Sequence, residues 1–204
     1  MKEREYRAFR GLEIREEGGV KRLVGYAAVF DSNSVNLGGF VEAIRSGAFR
    51  RTLAAGADVR AMLEHDPGKI FARSTVAEGP GTLKVGEDDH GLRVEITPND
   101  SQAGRDVIEH VRSGVLDAMS FGFYVAEGGE RWNFKALPNL RELTDVDLDD
   151  VSVVSFPAYP KTEIALRSVE TGRRCFEAAR NAHAMAVAEI EARQRRLRML
   201  GKGA

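Results

Sequence analysis

Apolar and polar residues alternate through much of the chain up to Phe156, and that period of two predicts a protein built mainly from β-strands. Tyr6 to Ile14 and Leu23 to Phe30 have this texture and flank Glu16-Glu17-Gly18-Gly19, which predicts an opening hairpin. A Ser/Asn/Gly loop from Asp31 to Gly39 follows, and Ser46-Gly47-Ala48-Phe49 then opens a short helix that ends near Gly56. Val59, Ala61 and Leu63 alternate towards His65, where Asp66-Pro67-Gly68 has turn chemistry. A second hairpin is expected from Thr82 to Val85 and Leu92 to Ile96 around Gly86-Glu87-Asp88-Asp89-His90-Gly91. Ser101 to Ser113 reads as an amphipathic helix with Val107, Ile108 and Val111 on one face. Two further strands run from Leu116 to Val125 and from Leu148 to Phe156, the second ending at Pro157.

About seven strands and two short helices imply a mainly β, α+β fold: an antiparallel β-barrel or sandwich with peripheral helices. The alternation of strand and helix that marks a parallel βαβ sheet is absent. After Arg167 the texture changes to Ala, Arg, Glu and Met, and Val169 to Leu200 reads as one helix with a weak heptad-like stripe through Phe176, Ala179, His183, Ala186, Ile190 and Leu197. The expected organisation is a domain over residues 1–168 and a helical, basic tail over 169–204.

Charge sharpens that division. The net charge of the 204-residue chain is -1, which gives no global field for nucleic acid. Thr171 to Ala204 holds eight basic and three acidic residues, a net of +5, so residues 1–170 carry -6. Basic residues near a helix C-terminus also complement its dipole, so the tail's Arg193, Arg195, Arg196, Arg198 and Lys202 are not by themselves a phosphate site. The lone cysteine, Cys175, excludes an intramolecular disulfide. Met1 to Arg10 lacks the apolar core of a signal peptide, and nowhere do eighteen apolar residues run together; the expectation is a soluble, cytoplasmic protein with no membrane contact.

The strand from Leu116 to Val125 carries the clearest chemical signal. Met119, Phe121, Phe123 and Val125 share one face, which should be core, and Ala118, Ser120, Gly122 and Tyr124 share the other. Ser120 thus lies between two small neighbours that would leave room for an extended substrate backbone. A serine is inert at its own pKa and needs a base within hydrogen-bond reach, which in turn needs a partner to fix its tautomer. With four histidines available, a serine nucleophile and a histidine base are the most economical catalytic pair. His90 lies in a turn, His110 on the polar side of a helix and His183 in the tail. No HxH, HExxH or CxxC spacing, Walker A sequence or GxSxG elbow occurs, so no metal, nucleotide or other cofactor is expected and an esterase of the elbow type is disfavoured.

A series of short blocks then becomes recognisable in order: Gly25-Tyr26-Ala27-Ala28-Val29-Phe30; Ile44 with Gly47-Ala48-Phe49; Leu63-Glu64-His65-Asp66; Gly91-Leu92; Ser120-Phe121-Gly122-Phe123; and Val151-Ser152-Val153-Val154 with Pro157-Ala158. Each block alone is weak. Together, over residues 5 to 165, they resemble the prohead serine proteases of tailed phages. The resemblance implies a fold like the herpesvirus assemblins, a β-barrel ringed by helices. It also implies a serine endopeptidase that cleaves scaffold and major capsid protein precursors inside the assembling prohead, in the bacterial cytoplasm, and that cleaves itself. A homo-oligomer such as a dimer is expected, and direct nucleic-acid binding is not.

Carried over by position, the resemblance makes Ser120 the nucleophile, His65 the general base and Asp150 the third member. Many relatives have glutamate at that third place, so Asp147 and Glu142 stay open as alternatives. Arg141 is a candidate donor to the oxyanion, set against its reading as a surface arginine. The competing function is a non-catalytic assembly factor that keeps the fold and acts through its tail.

Overall fold

The computed structural model describes residues 3–37 and 39–155. The predicted helix from Val169 to Leu200, the tail over 169–204 and the boundary at residue 168 lie outside them. Among the described residues the chain forms strands β1 (Arg4–Arg10), β2 (Glu13–Glu17), β3 (Val20–Val29) and β4 (Phe40–Ile44), then helix α1 (Arg50–Ala54). Strands β5 (Arg60–Leu63), β6 (Ile70–Arg73), β7 (Thr82–Glu87) and β8 (Gly91–Thr97) follow, then helix α2 (Gln102–Arg112). Strands β9 (Ala118–Val125), β10 (Glu130–Asn133), β11 (Asn139–Leu143) and β12 (Val146–Val154) complete the order.

Nine of the strands form one sheet in the order β1-β9-β12-β5-β6-β7-β8-β3-β2. Its first and last members, β1 and β2, are joined through Gly11 and Leu12 alone. Two residues span no more than about 10 Å even when the chain is extended, so the two edges must meet and the sheet must curl on itself. Gly11 sits at the junction with φ of 115°, a conformation that favours glycine. Its carbonyl passes so close to Gly25 that a methyl group there would stand 2.8 Å from it.

The stretch from Tyr6 to Ile14 is therefore not one arm of an opening hairpin. The hairpin is β2 with β3, Ile14 opposite Leu23, whereas β1 leaves for the far edge and pairs with β9. The second predicted hairpin is present as β7 and β8. The amphipathic helix is present as α2, capped by Ser101, whose hydroxyl accepts from Gly104 N–H at 3.2 Å. Most pairings are antiparallel, but β12 with β5, β6 with β7, and β11 with β4 are parallel. A small second sheet, β10-β11-β4, had no strong period in the sequence.

The concave side of the large sheet is filled by aromatic and branched residues. Phe121 and Phe123 of β9 stack with ring centroids 5.0 Å apart, and Phe49, just before α1, meets Phe121 edge-on at 5.2 Å. All three are fully buried with Phe71, Leu23, Leu92, Ile96 and Met119. Each such side chain contributes about 1.5–3 kcal/mol relative to exposure, and together they hold β9 rigidly against the core. That rigidity is what the opposite face of β9 inherits.

Candidate active site

The face of β9 turned away from the core presents Ala118, Ser120 and Gly122, and its ladder neighbours decide what meets them. On one side β1 places Ala8 opposite Ser120 and Tyr6 opposite Gly122. On the other, β12 places Ser152 opposite Ser120 and Asp150 opposite Gly122. Paired residues of neighbouring strands lie on the same face, so Ser120, Asp150, Ser152 and Tyr6 share one surface.

Asp150 reaches that surface through an irregularity. Leu148 pairs with Phe123 and Asp150 with Gly122, so Asp149 is an extra residue and β12 carries a β-bulge. Strict alternation would have left residue 149 opposite Gly122 and turned Asp150 inwards with Leu148. The two adjacent acids in Val146-Asp147-Leu148-Asp149-Asp150-Val151 are the sequence trace of this bulge: alternation breaks once, then resumes with Val151 and Val153 in the core.

His65 arrives from β5, which pairs in parallel with β12, Leu63 opposite Val153. Immediately beyond, Glu64 and His65 have φ of 56° and 55°. Asp66 N–H donates to the Leu63 carbonyl at 3.1 Å, closing a tight turn with both central residues left-handed. Neither is glycine, and each such residue costs about 1 kcal/mol or more. Three bonds hold the strained turn: Glu64 N–H donates to Val153 O at 3.0 Å, Ser155 N–H to Glu64 Oε1 at 2.6 Å, and Gly68 N–H to Asp66 Oδ1 at 2.8 Å. The reward is the direction of the imidazole, which a regular strand end would not supply.

His65 Nε2 lies 2.7 Å from Ser120 Oγ, and its Nδ1 lies 2.7 Å from Asp150 Oδ1. An ionised carboxylate only accepts, so Nδ1 carries the proton and Nε2 offers its lone pair to the serine hydroxyl. Asp150 is fully buried, and its oxygens are matched by donors: Oδ1 also accepts from Ser152 Oγ at 2.8 Å, and Oδ2 accepts from Arg4 Nη2. The Tyr6 ring covers the imidazole at 4.3 Å between centroids, and burial pushes its phenol up. Arg4, Tyr6 and Ser152 carry no role in the sequence reading. Ser152 lies in a recognised block, but Arg4 and Tyr6 come from a strand whose destination the local pattern does not reveal.

Two expectations need correction. Ser120 is 1% exposed, and the space beside it is not left for substrate: a methyl group on Gly122 would stand 2.1 Å from Asp150 Oδ2 and 3.0 Å from Arg4 Nε. The small residue admits an acid and a guanidinium. Arg141, in turn, is not a surface residue, and its guanidinium is engaged by three acids. It is 8% exposed and donates to Glu5 at 2.8 and 2.9 Å, Glu42 at 2.9 Å and Glu130 at 2.6 Å. Arg7 joins this network through Glu42 at 2.6 Å and Glu5 at 2.8 Å, tying β1 to the small sheet. Burial favours the neutral form of Glu5, but Arg141 and Arg7 outweigh it and hold the carboxyl below its ordinary value.

The alternative acids point elsewhere. Glu142 accepts from Arg45 at 2.7 Å, and Asp147 accepts from Arg51 at 2.5 Å. His90 is exposed and meets Tyr26 edge-on, and His110 is half-buried on α2. No group of three His, Cys, Asp or Glu residues able to hold a metal ion occurs among the described residues, and no described helix is long and apolar enough to cross a membrane.

Comparison with known proteins adds an independent line. Among solved structures, the capsid assembly protease of bacteriophage T4 superimposes with a TM-score of 0.52 over 76% of this chain and 98% of that one, at 11% identity. At that identity the likeness speaks for the fold alone. No curated protein matches the sequence. The model of one family, however, matches residues 10–174, most of the chain and all strands from β2 to β12. The chain belongs to the caudovirus prohead serine proteases.

Proposed function

We propose that this protein is a Ser-His-Asp endopeptidase in which Ser120 attacks the scissile carbonyl, His65 moves the proton and Asp150 orients and stabilises the imidazolium. The observation that carries this reading is the unbroken chain from Asp150 Oδ1 through Nδ1 and Nε2 of His65 to Ser120 Oγ, 2.7 Å at each link. In the first half-reaction Nε2 takes the serine proton as Oγ bonds to the carbonyl carbon, and the imidazolium then protonates the leaving amine as the tetrahedral intermediate collapses to an acyl-enzyme. Water, deprotonated by the same nitrogen, releases the acid and returns Ser120. The buried Asp150 acts throughout as a fixed negative charge.

The substrates, on this reading, are scaffold and major capsid protein precursors enclosed in the immature shell, and the protease itself. Family membership supports this choice. Residues 169–204, with their net charge of opposite sign to the rest, are assigned as a tail that docks the enzyme in the shell or is removed by self-cleavage. Co-expression with the cognate scaffold and capsid precursors tests the proposal: the wild-type chain should yield shortened products, and Ser120→Ala should leave the precursors full-length. Cleavage by Ser120→Ala at the wild-type rate would refute the assigned nucleophile.

A further inference from the structure

Arg4 stands on β1, ahead of the stretch matched by the family model, and its guanidinium meets two carboxylates of one strand. Nη2 donates to Asp150 Oδ2 and lies 2.6 Å from Asp149 Oδ2. In a regular strand adjacent residues point to opposite faces, so this double contact exists because of the bulge at Asp149. Arg4 Cζ lies 5.2 Å from the Tyr6 ring centroid, and that ring lies 4.3 Å from the ring of His65. Guanidinium, phenol and imidazole thus lie in succession along the flank of one buried acid.

Building on the Ser120–His65–Asp150 reading, we propose that Arg4 is a positioning residue: it fixes which oxygen of Asp150 serves His65 and moderates the negative charge that the imidazole feels. A carboxylate can rotate to exchange its oxygens. With Oδ2 bound to Arg4, only Oδ1 is left for His65 and Ser152, and the proton on Nδ1 has one acceptor in one place. The charge argument runs in parallel. Asp149 and Asp150 are neighbouring anions, the second with no solvent exposure, and without a cation between them the pair is strained by repulsion and desolvation.

The charged and titratable groups around His65 are Asp149 and Asp150 on β12, Arg4 and Tyr6 on β1, Tyr124 opposite Arg4 on β9, Arg60 opposite Asp150 on β5, and Glu64 and Asp66 on its own turn. Loss of the Arg4 charge makes this surrounding more negative by one unit. The imidazolium then forms at higher pH, and the neutral base is lost at higher pH.

Reaction of the full-length protein with a fluorophosphonate tests Arg4 without a known peptide substrate. The rate is followed against pH for wild type, Arg4→Gln, Arg4→Lys and Ser120→Ala. Arg4→Gln should label at least tenfold more slowly at neutral pH, with the acid limb of its profile moved upward. Arg4→Lys, which keeps the charge but places its donor differently, should return the limb to its wild-type position and recover part of the rate. A rate for Arg4→Gln within twofold of wild type and an unmoved limb, with Ser120→Ala unlabelled, would overturn the role of Arg4 alone. Labelling of Ser120→Ala at the wild-type rate would instead remove the underlying site. Should Arg4→Gln fail to fold, the low-field NMR resonance of the His65 Nδ1 proton in folded Arg4→Lys decides: a displaced resonance supports the proposal, and an unmoved one overturns it.

Discussion

Gly122 and Asp150 face each other across the β9–β12 ladder, and the acid occupies the space that any larger residue at 122 would need: an added methyl carbon would come within 2.1 Å of Asp150 Oδ2. Gly122→Ala must therefore push the carboxylate, Arg4 or the strand aside. Overpacking of this kind costs about 1–3 kcal/mol of stability. The displaced acid should lower the cleavage rate by about a hundredfold or more, because misplacement of about 1 Å is enough for such a loss. Thermal melts and cleavage assays on the same preparation separate the two effects.

Ser120 and His65 should fail together. Each alanine variant is expected to lose nearly all cleavage, and the double variant should be little slower than either single one, because a nucleophile without its base and a base without its nucleophile are equally idle. The double-mutant cycle is read from rate constants with folding verified by circular dichroism. Additive losses would show that the two residues act separately.

Ser152→Ala removes one donor from Asp150 Oδ1 but leaves His65 and Arg4 in place. One hydrogen bond to a charged group corresponds to about 1.5–3 kcal/mol. The variant should slow cleavage by about ten- to a hundredfold, well short of the loss in Asp150→Asn, which also disturbs the tautomer of His65. Single-turnover rates for the two variants give the order.

The network of Glu5, Arg7, Glu42 and Arg141 should show itself in stability and in its pH dependence. Arg141→Gln leaves Glu5 and Glu42 short of a cation in a buried place and should cost about 3–5 kcal/mol. For Glu5 the folded carboxyl titrates below its ordinary value of 4.5. The unfolded chain therefore takes up the proton first, and the contribution of this group is complete above that value and lost as pH falls through the folded one. Wild type should exceed Glu5→Gln in melting temperature at neutral pH, and the gap should close as pH falls below the ordinary carboxylate value and through the lower folded one.

Local pattern carried a good deal of this structure. The alternation in Ala118 to Val125 identified the core face of β9 because large apolar residues repeat there without interruption, and Phe121 and Phe123 are indeed fully buried. The ordered blocks led to the family. What local pattern does not contain is destination. Residues 4–10 look like any half-buried strand, and only the short Gly11-Leu12 link together with the closed course of the sheet sends them beside β9. Arg141 looks like a surface cation because two of its three acidic partners, Glu5 on β1 and Glu42 on β4, are far away in sequence. The bulge was legible as a broken period at Asp149-Asp150, but a broken period also fits a plain acidic surface. The left-handed turn at Glu64 and His65 left no sign beyond the Asp-Pro-Gly that follows it.

The bulged strand is the last of those described, and it lies between β5, which leads to His65, and β9, which carries Ser120. Until Val146–Val154 has been synthesised, a growing chain holds neither the acid nor the partner that brings β5 and β9 to one surface. The order of the chain is thus also a timetable. On the Ser120–His65–Asp150 reading, a half-made molecule would lack its acid, and the capacity to cut would arise only once this last strand has joined the sheet.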